Sequence, residues 1–168
     1  EPLHMAAFYG HAAVISCLLS FCADANATDK QGGTAILHSA FNGHAEAVKA
    51  LMLGRASICV CDAMGMSPLH LASLRGHGKV VGLLLAARAS TQQQDAHGRT
   101  PLHLASHAYE DKDGPNGFRS AADSNMEARA DPEIRDSHGA QAVEFAIARG
   151  HAGVARLLKP AVVFELVD

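Results

Sequence analysis

The sequence predicts an all-α repeat solenoid, and three observations carry that prediction. The 168 residues are 48% hydrophobic and only 18% charged, a balance that disordered chains lack. Aromatics make up 5% with no tryptophan, while alanine fills about a fifth of the chain; a core of such small side chains favours short helices in close approach. Short histidine-bearing phrases also recur, Leu69-His70-Leu71-Ala72 and Leu102-His103-Leu104-Ala105 standing 33 residues apart, with Leu3-His4-Met5-Ala6 two such periods before the first of them. A fixed period of this size is the mark of stacked units.

Each element of the unit has its own reason. The turn comes first, as Asp29 to Gly32, Asp62 to Gly65, Asp95 to Gly98 and Asp136 to Gly139. In Asp-x-x-Gly the carboxylate can bond its own backbone and the glycine supplies positive φ. Ser67-Pro68 and Thr100-Pro101 then start a helix, the hydroxyl capping free amides and proline taking the first helical position. Leu69, Leu71 and Ala72 give that helix a narrow apolar face, but it is too short to stand alone. A Gly-His step ends it, at Gly10-His11, Gly43-His44, Gly76-His77 and Gly150-His151. A second helix follows, with Val80, Val81, Leu83 and Leu84 at helical spacing. Such a unit buries its apolar side only against another copy.

The segment Asp95-x-x-Gly-x-Thr-Pro-Leu-His-Leu-Ala105 resembles the signature of the ankyrin repeat, and the resemblance extends over almost the whole chain. Counted from the turn aspartate, the repeats are 1–28 (its opening residues absent), 29–61, 62–94, 95–135 with an insertion at 109–116, and 136–168 ending in an atypical tail, 160–168. The resemblance implies helix–turn–helix units with β-hairpin loops. It also implies that His4, His70 and His103 on one rung, and His11, His44, His77 and His151 on another, bridge turns and helix ends rather than bind metal.

Several departures from the pattern carry expectations. Thr34-Ala-Ile-Leu-His38 lacks the helix-starting proline and shifts its histidine by one place, which predicts lower local rigidity. Cys22, Arg55, Arg88 and Arg129 stand where the family prefers glycine after the second helix; a left-handed backbone there costs up to about 1 kcal/mol with a side chain present. The same arginines would form a basic stripe along one edge. Ser124 and Asn125 replace the leucines of the preceding unit, predicting a frayed or rearranged helix. The apolar tail after Pro160 is expected to cover the last repeat or dock on a partner, and the acidic insertion to be a solvated or partner-contacting loop. The uncapped N-terminal repeat suggests part of a longer protein or an assembly.

As to function, a pI near 6.4 argues against nucleic acid, and no apolar run approaches the roughly 20 residues that span a bilayer. Cys17, Cys22, Cys59 and Cys61 lack the spacing of zinc knuckles and read as reduced thiols of an intracellular protein, with the compartment left open. No catalytic motif, cofactor loop or metal set stands out, so the chain reads as no enzyme and calls for no cofactor. The resemblance implies a scaffold that binds another protein through a concave surface of hairpin tips and first helices. Positions that the repeat leaves free name the expected contact residues: Phe8, Tyr9, Phe41, Asn42, Leu74, Arg75 and Arg149 at helix ends, and Met64, Met66 and Arg99 at turns. A permanent structural subunit of a larger complex, membrane-associated or not, is the alternative, followed by a regulatory array for an enzyme outside the chain.

Overall fold

The computed structural model describes residues 2–107 and 117–158, without the side chains of 117–119. The inserted segment 109–116 and the tail 160–168 lie outside the described residues. Ten helices follow in order: α1 (Pro2–Phe8), α2 (Ala12–Ser20), α3 (Ala35–Asn42), α4 (Ala45–Leu53), α5 (Pro68–Leu74), α6 (Gly78–Ala86), α7 (Pro101–His107), α8 (Gly117–Glu127), α9 (Ala142–Ala148) and α10 (Ala152–Leu158). Odd-numbered helices stack on one another as an inner layer, even-numbered ones as an outer layer, and each inner helix packs on the outer helix that follows it. The all-α repeat solenoid expected from the period is the fold observed. The longest of the ten, α8, has 11 residues, short of the ~12–15 needed for an isolated helix, so packing between units supplies their stability.

The core repeats as the sequence does. Leu3, Ile36, Leu69 and Leu102 occupy one buried rung of the inner layer, and Ala6, Ser39, Ala72 and Ala105 the next. The small side chains let backbones approach closely enough for Ser39 Oγ to donate to the Ala7 carbonyl across the α1–α3 contact at 3.1 Å.

Each turn is closed by its aspartate. Asp29, Asp62, Asp95 and Asp136 each accept two backbone amides through Oδ1 at 2.8–2.9 Å. The hairpins are correspondingly short, with single antiparallel bridges at Thr28–Thr34 and Arg135–Gln141 and no longer strand among the described residues. Neighbouring turns are tied together where Ala96 N–H donates to Met64 O and Ser137 N–H to His97 O, both at 2.9 Å.

Helix ends explain the departures. At α5, Ser67 Oγ accepts the His70 amide while the His70 ring accepts the Ser67 amide, a reciprocal cap with Pro68 behind it. At α3 the histidine sits one residue too late for this, no side-chain cap forms, and Thr34 Oγ1 is buried with no partner. Cys22, Arg55, Arg88 and Arg129 do adopt left-handed backbones, with φ between 61° and 65°, and all four side chains are exposed. The expectation of a frayed or rearranged fourth outer helix is corrected. α8 is continuous, buries Ala121, Ala122 and Asn125, and satisfies the Asn125 amide nitrogen through Ser73 Oγ at 3.2 Å and Ala121 O at 2.8 Å. A buried polar side chain thus replaces leucine without unwinding the helix, because its Nδ2 reaches a hydroxyl on α5, the inner helix of the preceding unit.

Candidate functional site

Histidines set the spacing on which the site is built. His44 Nε2 donates to Phe8 O at 3.0 Å and His77 Nε2 to Phe41 O at 3.1 Å, each reaching back to the end of the preceding inner helix. An ideal Cβ on Gly43 would lie 2.5 Å from Nδ1 of His77, and at φ 78° only glycine sits there without strain. His70 and His103 reach forward instead, donating from Nε2 to Arg99 O and Ala140 O in the next turns, while His4 Nε2 donates to Ala27 O. Burial pushes the titration of His70 and His103 below 6.5, only partly offset by those carbonyls. In both rings Nδ1 accepts the amide of the cap residue while Nε2 faces a carbonyl, the hydrogen-bonding pattern of a neutral imidazole.

These bonds hold the turns against the inner helices and leave a groove along the first three helix pairs. Its first half, about 470 Å³, is walled by His4, Met5, Phe8, Lys30 and His38; its second, about 530 Å³, by Leu37, Phe41, Met64, Met66 and Leu71. Asp29, Gln31 and His38 belong to both halves, so the two adjoin. Phe8, Phe41 and Met64 are 44%, 37% and 45% exposed, unusual for side chains of this size. His38 stands 2.7 Å from Asp29 Oδ2, and that hydrogen bond holds the Asp29 carboxyl below its ordinary range.

Of the residues named from sequence, Phe8, Phe41, Met64 and Met66 come together in these walls, and Arg75 lies over the Phe41 ring at 4.8 Å. Tyr9 meets Phe8 edge to face at the end of α1. The others stand elsewhere. Asn42 donates to His38 O, Leu74 is half-buried at the end of α5, Arg99 grips Asp95 through Nε and Nη2, and Arg149 Nη2 donates to His107 Nε2. Burial and then the Arg149 charge push His107 below its ordinary value. Sequence reasoning missed Met5, Leu37, His38 and Leu71. Each lies three or four residues before Phe8, Phe41 or Leu74, on the same helical face, so the periodicity that found the helix ends could have found them too.

All four cysteines are free and exposed. No helix among the described residues is long and apolar enough to cross a membrane. No curated protein matches the chain. A family model described as ankyrin repeats, three copies, matches residues 1–62 and 40–112. With two thirds of the sequence under that match and a two-layer stack of short helices carrying it, the chain belongs to the ankyrin-repeat family, whose repeats generally serve as protein–protein interaction modules.

Proposed function

We propose that the chain is a non-catalytic scaffold that binds an extended segment of another protein in the groove along its first three helix pairs. The observation that supports this reading is the adjacency of the two hollows. Two adjoining hollows share Asp29, Gln31 and His38 and expose Phe8, Phe41, Met64 and Met66, residues of the size and softness that anchor interfaces. Arg75, standing on Phe41, adds a cation beside the apolar wall. A segment rather than a globular face suits two adjoining hollows, because alternate side chains can seat in each.

The test uses a random-peptide library displayed on phage and selected on the wild-type protein. Selected peptides should bind the Phe8→Ala/Phe41→Ala double variant more than tenfold more weakly, since central aromatic anchors are worth about 2 kcal/mol or more each. Lys49→Ala, on the outer layer, should leave binding unchanged, and helix content should be the same in all three proteins. Equal affinity for the double variant and the wild type would refute the groove.

A further inference from the structure

We infer that the segment held in this groove carries a lysine or arginine beside an apolar residue, and that Asp62 receives it. The inference rests on the groove reading above and goes further, to the chemistry of the occupant.

The four turn aspartates are equivalent in their first oxygen and differ in their second. Oδ1 of each is taken by two amides of its own turn. Asp29 Oδ2 faces His38 at 2.7 Å, Asp95 Oδ2 holds Arg99 at 2.7 Å, and Asp136 Oδ2 has His138 at 3.8 Å. Among the described residues Asp62 has no such cation. The register shows why. One period of 33 residues takes His38 to Leu71 and Arg99 back to Met66, and His138, two places after its aspartate, has Met64 as its counterpart two places after Asp62. Every position that could place a basic side chain on this aspartate is apolar in the third turn.

Those same replacements, Met64, Met66 and Leu71, are walls of the groove. Asp62 is therefore a half-exposed carboxylate set in an apolar trough that Leu37 and Phe41 also line. The other charged or titratable groups of the trough are Asp29 with its partner His38, and His4 and Lys30 in the walls of the first half; Arg75 lies over Phe41. None of these groups is paired with the Asp62 carboxylate. A lysine or arginine from a partner suits both features, since its methylene stem can lie along the methionines while its head reaches Oδ2. An acidic or purely apolar segment would leave the carboxylate covered and unpaired, which is costly.

The experiment selects the same displayed random-peptide library in parallel on the wild type and on Asp62→Asn. The asparagine oxygen still accepts the turn amides, so the loop is kept. Wild-type selections should enrich a basic residue next to an apolar one, whereas Asp62→Asn selections should keep the apolar preference and lose the basic one. A wild-type-selected peptide should bind Asp62→Asn about fivefold more weakly, the scale of a partly exposed ion pair. In a double-mutant cycle, replacing its basic residue by glutamine should cost that factor on the wild type and nothing on Asp62→Asn. Peptides that depend on Phe8 and Phe41 but show no basic preference, or no coupling to Asp62, overturn this inference and leave the groove standing. Binding that ignores Phe8 and Phe41 as well overturns the groove itself, and this inference with it.

Discussion

Exchanging two neighbours in the second unit, as Leu37→His with His38→Leu, should make the protein more stable. The exchange restores the order found at Ser67-Pro-Leu-His70-Leu71 and Thr100-Pro-Leu-His103-Leu104. In those units the histidine ring accepts the amide of the cap residue, pairs with its hydroxyl at 2.8 Å and donates to a carbonyl of the next turn. In the second unit Thr34 Oγ1 is buried without a partner, and the carbonyl at the matching place is that of Met66. A histidine at 37 would relieve the hydroxyl, worth about 1–3 kcal/mol, and add bonds of about 1 kcal/mol each. Leucine at 38 would take the place of Leu71 and Leu104, which are buried. Against this stands the loss of the His38–Asp29 pair, whose side chains are 30% and 16% exposed and which contributes no more than about 1 kcal/mol. The net gain is about 2 kcal/mol. Urea unfolding followed by circular dichroism should show the midpoint rising by about 1 M at unchanged slope, for a slope near 2 kcal/mol/M. His38→Leu alone, which repairs no cap, should show little of the gain. A swap whose midpoint does not exceed that of His38→Leu would refute the capping argument.

Two further outcomes follow from the geometry. Gly43→Ala should destabilise by about 3 kcal/mol, because its methyl group meets the His77 ring as well as carrying the left-handed backbone, whereas Gly139→Ala, at φ 81° with open space around it, should cost only about 1 kcal/mol; thermal melts that show equal losses would dismiss the ring contact. Acid should weaken the fold in two stages. His70 and His103 titrate below 6.5 when folded, so the unfolded chain takes up protons first and stability, full above that value, declines as pH falls through it. Asp29, Asp95 and Asp136 titrate below 3.8 when folded. At Asp95 and Asp136 the turn amides, with Arg99 in the first case, outweigh a burial that pushes upward, so the three contribute a second loss as pH drops below that range. Melting temperatures that stay level from pH 7 to pH 5 would contradict the first stage.

Much of the molecule could be read from its period. The turn aspartates, the Gly-His steps, the left-handed arginines and the cap at Ser67 follow from residue types whose backbone chemistry is local, and local chemistry survives in a sequence. The groove could be read only in part. Phe8, Phe41, Met64 and Met66 stood out because the repeat does not require them. Leu37 and Leu71 look like core residues when each helix is considered alone; they become walls only because adjacent turns stand where they do. The order Leu37-His38 could be seen as a lost cap, but its second effect, turning His38 toward Asp29 and leaving leucine in the trough, depends on a pairing across nine residues. The bond from Asn125 to Ser73 spans 52 residues and obeys no period at all.

That last bond bears on alignment more than on strength. Leucine at 125 would fill the space between α8 and α5 with greasy surface, which is indifferent to small displacements along the helix axis. Asparagine is not indifferent. Sliding α8 by one residue would carry its amide away from the Ser73 hydroxyl and leave it only the bond to Ala121 O within its own helix, at a cost of about 1 kcal/mol. The side chain already tolerates an unsatisfied Oδ1 in the aligned state, so it gives up some stability and penalises every other setting more. At the one place where the 33-residue rhythm is broken, a buried amide tells the chain where to resume counting.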